Sequence, residues 1–234
     1  MESMSSKSSI SFYYGYGNLS KLREFERVVL QPSHYSQQDI LELNRTTETY
    51  AYISLGEDST SDGPWKLAEH NPDWGGSYVD LSSKMWHDNV LMQVEAYFEM
   101  GFQGIFMDTL DAIDIYPEQR ENMLKLLERL KALAKDRPLM ANRGFGLMPE
   151  LQNYIDSIVF EAFSCTWTEA GSARKLTPNE LLWTKRIANE LKGYGLKIYA
   201  LDYAENPKLI SFAAERAKEF GFEAVISNRN LTLI

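Results

Sequence analysis

Two acidic residues close apolar runs in places where an α/β protein could use them. Asp108 ends the run Gly104-Ile105-Phe106-Met107-Asp108, and Glu161 ends Ile158-Val159-Phe160-Glu161. Each run is short and apolar on both faces, so it reads as a strand buried on both sides, the kind found in parallel sheets. An acid at the C-terminal end of such a strand lies on the rim where α/β enzymes hold their chemistry. Cleaving a glycosidic bond needs two carboxyl groups flanking it. Asp108 and Glu161 form the best candidate pair. Retention needs them about 5–5.5 Å apart, and inversion needs a wider gap that admits water. The sequence leaves both open.

The other strand ends supply Tyr14 and Tyr16, Gln31, Ser54 and Glu57, Asp111, Asn142 and Arg143, Asp202 and Tyr203, then Ser227 and Asn228. This mixture suits a sugar, because rings stack on pyranose faces while acids and amides bond hydroxyls. Each residue also has a plainer reading. Asp108 could cap a helix or a turn. Glu161 is a poor cap and is seldom buried unpaired, so its plain alternative is an ion pair with Arg143. Asp111 and Asp114 could be solvated loop acids. Asp202 ends the apolar run Ile198-Tyr199-Ala200-Leu201 and competes with Asp108 for a catalytic role. Asn142-Arg143-Gly144-Phe145 could be a simple turn, and the tyrosines at 13, 14 and 16 could be core and rim packing.

Other chemistries fit poorly. His34, His70 and His87 lack metal-ligand spacing. An all-oxygen site at Asp108, Asp111 and Asp202 stays open, but no metal or cofactor is called for. Gly-x-Ser-x-Gly, a Walker loop and GxGxxG are all absent. The lone Cys165 reads as a buried, inert thiol. The segments after the last two strands are short of glycine, which argues against a phosphate cradle.

The elements that must position these residues alternate. Strand candidates are Ser11–Tyr14, Val28–Gln31, Thr49–Leu55, Gly104–Asp108, Pro138–Asn142, Ser157–Glu161, Lys197–Asp202 and Ala224–Ser227. Helices are expected at Ser20–Phe25 (weakly), Ser36–Leu43, Lys84–Met100, Glu118–Lys135, Pro149–Tyr154, Pro178–Lys192 and Pro207–Phe220, several opened by proline. Eight strands alternating with helices predict a single-domain (β/α)₈ TIM barrel over residues 11–234, with 1–10 as a poorly ordered N-terminal segment. A doubly wound open sheet is the second choice. The long irregular stretch 56–83, with Trp65, Trp74 and Tyr78, follows the third strand on the catalytic face.

The chain has 234 residues, 44% of them hydrophobic, enough for one large core. Its net charge of −9 argues against nucleic acid and anionic lipid as partners. No run spans a bilayer, and no basic stripe with aromatics marks a nucleic-acid surface. Met1 to Ser9 is serine-rich without the apolar core of a signal peptide, so the chain as written reads as cytoplasmic, or as secreted with its leader trimmed. Nothing in the sequence speaks to oligomeric state.

Six segments in order carry a resemblance: Tyr14-Gly15-Tyr16, Ala51-Tyr52-Ile53-Ser54-Leu55-Gly56-Glu57, Gly101 through Asp111, Ala141-Asn142-Arg143-Gly144-Phe145, Val159-Phe160-Glu161 and Leu201-Asp202-Tyr203-Ala204. Together they resemble glycoside hydrolase family 114, the endo-α-1,4-polygalactosaminidases and related domains. The resemblance implies a (β/α)₈ barrel with an acidic cleft acting on an α-1,4-linked galactosamine-containing exopolysaccharide. It implies Asp108 as nucleophile and Glu161 as general acid/base of a retaining reaction. Tyr14, Tyr16, Glu57, Asp111, Asn142, Arg143, Asp202 and Tyr203 would bind substrate. The net charge would then attract a cationic glycan. On this reading Glu161, beside Phe160 and Phe163, holds a proton, while hydrogen bonds keep Asp108 ionised. The alternative function is a non-catalytic glycan-binding TIM barrel.

Overall fold

The computed structural model describes residues 8–60 and 62–234. Eight strands form one parallel sheet: β1 (Ser8–Tyr13), β2 (Phe25–Leu30), β3 (Glu48–Ser54), β4 (Gly104–Asp108), β5 (Leu139–Asn142), β6 (Ser157–Glu161), β7 (Lys197–Tyr203) and β8 (Glu223–Ser227). Each strand pairs with the next in chain order, and all seven pairings are parallel. The sheet rolls into a nearly closed barrel. At the seam, no ladder joins β1 to β8 among the described residues. The Ser9 hydroxyl instead donates to Glu223 across the gap, and Tyr14 N–H donates to the Leu231 carbonyl at 2.7 Å.

The expected strands are all present, two with identical bounds. Residues 1–7 of the expected segment 1–10 lie outside the described residues, but Ser8–Ile10 already belong to β1.

Helices fill the crossovers: α1 (Leu19–Leu22), α2 (Gln37–Leu43), α3 (Lys84–Glu99), α4 (Ala112–Ile115), α5 (Arg120–Ala134), α6 (Pro178–Leu191) and α7 (Pro207–Phe220). Their starts follow local chemistry. Ser36 with Asp39, and Thr177 with Glu180, form reciprocal capping boxes. Pro178 and Pro207 open α6 and α7, where a missing N–H costs nothing. The expected helix over 149–154 is only a 3₁₀ turn, Glu150–Asn153. Among the described residues no helix is long and apolar enough to cross a membrane.

The core has two shells, set by the alternation of side chains along each strand. Phe12, Val29, Phe106, Met140, Val159 and Tyr199 fill the barrel interior. The neighbouring residues Val28, Met107, Ala141, Ile158 and Phe160 face the helices. This phase decides which strand-end residues reach the mouth. Phe106 inside puts Asp108 inside, and Met140 and Val159 do the same for Asn142 and Glu161.

Two small additions sit at the C-terminal mouth. The stretch after β3 folds into a three-stranded antiparallel sheet of Glu57–Asp58, Lys66–His70 and Ser77–Val79. After β6, Cys165–Trp167 and Ala173–Lys175 pair as an antiparallel hairpin. The hairpin was not foreseen from the sequence.

Candidate active site

Asp108, Asn142 and Glu161 end the adjacent strands β4, β5 and β6 and point into one cavity of about 850 Å³. Each is followed by a non-glycine residue in the left-handed region: Thr109 at φ 60°, Arg143 at 53° and Ala162 at 53°. Left-handed backbone at such residues costs energy and persists where surrounding structure enforces it. Here the enforcement is visible. Arg143 N–H donates to the Val159 carbonyl at 2.9 Å and Ala162 N–H to the Leu201 carbonyl at 2.8 Å. Gly56 packs against the Thr109 turn so closely that a Cβ there would sit 2.4 Å from the Thr109 carbonyl oxygen.

One amide joins the two acids. Asn142 Nδ2 donates to Asp108 Oδ1 at 2.9 Å and to Glu161 Oε2 at 2.5 Å. The two oxygens sharing it are therefore no farther apart than both legs laid end to end, 5.4 Å. Asp108 also accepts from the Tyr52 hydroxyl at 2.9 Å and from Thr109 N–H at 2.8 Å. Glu161 accepts from the Tyr203 hydroxyl at 2.5 Å. Burial, and then the nearby carboxylates, push the phenols of Tyr14, Tyr52 and Tyr203 upward, so Tyr52 and Tyr203 serve as protonated donors.

Burial, and then the facing Glu161 carboxylate, raises Asp108 to about 7; the donors from Asn142, Thr109 and Tyr52 oppose that rise. The hydrogen bonds expected to keep Asp108 ionised are present, and burial works against them. The two acids titrate as a unit. The expected apolar bed for Glu161 is absent. Phe160 and Phe163 lie in the outer shell, on the other side of the strand.

Of the expected substrate residues, Tyr14, Glu57, Asp111, Asn142, Arg143 and Tyr203 line the cavity. Glu57 accepts from Asn71 Nδ2 at 2.6 Å, and its half-burial raises its pKa, helped by Asp111. Arg143 lies 3.6 Å from Asp111, so the anticipated Arg143–Glu161 ion pair does not form.

Two expected site residues are elsewhere. Tyr16 is 69% exposed and stacks on His34 at 3.8 Å, outside the cavity. Asp202 is 1% exposed and faces the helices, because Leu201 and Tyr203 on either side face the barrel interior. Its Oδ1 accepts from Ser164 N–H at 2.5 Å and Cys165 N–H at 2.8 Å. Burial raises its carboxyl to about 6, against those two bonds and the Arg216 charge. Burial likewise pushes the Cys165 thiol up to about 12, as an inert thiol requires.

Sequence reasoning missed Tyr52, whose phase follows from Ser54 two residues on. It placed Trp74 on the catalytic face without naming it a site residue, and it missed Trp167, Trp183 and Arg229, which reach the cavity from the hairpin after β6, helix α6 and the segment after β8.

A (β/α)₈ barrel with two carboxyls bridged across its C-terminal mouth defines a class, the barrel glycoside hydrolases. The chain belongs to glycoside-hydrolase family GH114, whose model matches residues 27–233. The glycoside hydrolase domain of PelA from Pseudomonas aeruginosa is 27% identical, superposes with a TM-score of 0.88 and covers 97% of both chains. Ega3 from Aspergillus fumigatus, solved with galactosamine, shares the fold at a TM-score of 0.74 and 16% identity, covering 97% of this chain and 92% of its own. An uncharacterized protein of Deinococcus radiodurans is 25% identical; the match covers 77% of this chain but only 64% of that relative's length.

Proposed function

We propose that this protein hydrolyses α-1,4-linked galactosamine-containing polysaccharide with retention of configuration. Asp108 is the nucleophile and Glu161 the general acid/base. The observation that carries this reading is the amide bridge from Asn142, which keeps the bonded oxygens of Asp108 and Glu161 within 5.4 Å. Retaining glycosidases hold their carboxyls about 5–5.5 Å apart and inverting ones roughly 6.5–9.5 Å; one amide that reaches an oxygen of each acid favours the shorter arrangement.

The hydrogen-bond pattern supports the division of roles. Asp108 accepts three hydrogen bonds and Glu161 two. Donors favour the charged form, so the richer donor set suits Asp108 to the nucleophile's role. Asp108 then attacks the anomeric carbon as Glu161 protonates the leaving oxygen. Glu161 next takes the proton from water that releases the glycosyl-enzyme.

The substrate class rests on family membership and on the similarity to the PelA domain and to Ega3, the latter solved with galactosamine. Glu57 and Asp111 give the cavity carboxylates that suit a sugar bearing free amines. The test is a hydrolysis panel on acetylated and de-N-acetylated galactosaminoglycans. Asp108→Asn and Glu161→Gln should each lose at least about 10³-fold in kcat while retaining the fold. Binding of these polymers by the native protein with no product would instead favour a glycan-binding barrel.

A further inference from the structure

A row of rings leads from Glu161 to the surface. Tyr203, bonded to Glu161, meets the Trp167 ring edge-on at 4.5 Å. Trp167 meets Trp74 edge-on at 5.8 Å, and Trp74 is 56% exposed. Three separate excursions deliver this row. Trp74 sits on the tight turn closed by Asn71 N–H to the Gly76 carbonyl at 2.8 Å. Trp167 ends one strand of the hairpin after β6, and Arg229 follows β8.

Arg229 completes the row. Its guanidinium lies over both indoles, 5.1 Å from the centre of each. It forms no hydrogen bond and no ion pair among the described residues, although the chain is acidic overall. An Arg without a carboxylate partner leaves its positive charge unbalanced and its N–H donors free at the cavity wall.

We propose that Trp167, Trp74 and Arg229 form a leaving-group-side subsite that selects a neutral, N-acetylated hexosamine over one bearing a free amine. This rests on the assignment of Glu161 as acid/base. A proton donor touches the glycosidic oxygen, so the groups lying outward from it face the departing sugar. Indole faces stack on the apolar face of a pyranose. The guanidinium donates to an acetamide carbonyl and repels an ammonium group. The Glu57 and Asp111 carboxylates elsewhere in the cavity have the opposite preference. The protein would then cut best where an acetylated unit lies on the departing side of the bond.

Calorimetry on the non-hydrolysing Asp108→Asn protein tests this with α-1,4-galactosamine hexamers, one fully N-acetylated and one with free amines. Trp74→Ala should weaken both hexamers about 3- to 10-fold. Arg229→Gln should shift the affinity ratio about 5-fold toward the free-amine hexamer. Unchanged affinities in Trp74→Ala overturn the subsite. Equal effects of Arg229→Gln on both hexamers overturn the selection by charge. Hydrolysis by the native protein is scored separately. Activity with unaltered ratios sinks this inference alone, whereas a shifted ratio without any hydrolysis sinks the catalytic reading alone. Failure of both hexamers to bind sinks both.

Discussion

Asp202 and Tyr203 are consecutive on β7 yet serve opposite sides of the barrel wall. Tyr203 donates to Glu161 inside the mouth at 2.5 Å, and Asp202 clamps Ser164 and Cys165 N–H groups beneath the helices. The segment carrying Glu161 is thus held from both faces. Arg216 adds to the outer clamp through the Phe163 carbonyl and the Ser164 hydroxyl.

Asp202→Ala strands two buried N–H donors and removes a charge facing Arg216. It should cost about 3–5 kcal/mol, read as a fall in denaturation midpoint. Asp202→Asn keeps an acceptor oxygen and should leave KM within about twofold of the native value. A tenfold rise in KM with a native midpoint would restore Asp202 to the substrate site.

Asn142→Ala should lower kcat by about 10²–10³-fold, since it removes the one donor shared by both acids. Removing a donor to the charged form raises a carboxyl pKa, so the pH optimum should move up as well. A normal optimum with reduced kcat would mean that the amide only positions substrate. The check is a pH–rate profile of the variant.

Asp108 binds its proton more tightly folded than unfolded, with its pKa raised from 3.8 to about 7. Across that window the native state holds more protons, so stability falls as pH rises. Asp108→Asn lacks this penalty. It should melt close to the native protein near pH 4 and above it at pH 8, by roughly 2–4 kcal/mol. Melting curves at the two pH values check this, and equal midpoints at pH 8 would count against a strained acid.

Gly56→Ala drives a methyl into the Thr109 carbonyl and the Ala112 side chain, at 2.4 and 2.6 Å. Relief requires moving the turn whose N–H holds Asp108. A loss of about 1–3 kcal/mol is expected, with reduced kcat even where the protein stays folded. Circular dichroism melts and rates measured at low temperature separate the two effects.

The barrel was legible because its strands are apolar runs divided by capped helices, and β4 and β6 begin and end where the pattern changes. The acids at 108 and 161 were legible because each ends such a run. What failed was phase. Asp202 also ends an apolar run, but Leu201 and Tyr203 own the inward positions, so position 202 turns outward. Counting alternation from Tyr199 would have shown it. Tyr52 was passed over although it shares the phase of Ser54. The rim tryptophans were harder to read. Trp74 and Trp167 come from short polar strands and turns whose pairing is set by tertiary contact, not by periodicity. Tyr16 lay near a strand end in sequence but beyond it in space, on His34.

The most direct measurement is proton NMR of the sugar first released from an α-1,4-galactosaminan, recorded before mutarotation. With Asp108 and Glu161 bridged by a single amide, the new reducing end should appear as the α anomer. Initial release of the β anomer would mean that water attacks directly, and Asp108 would not be the nucleophile.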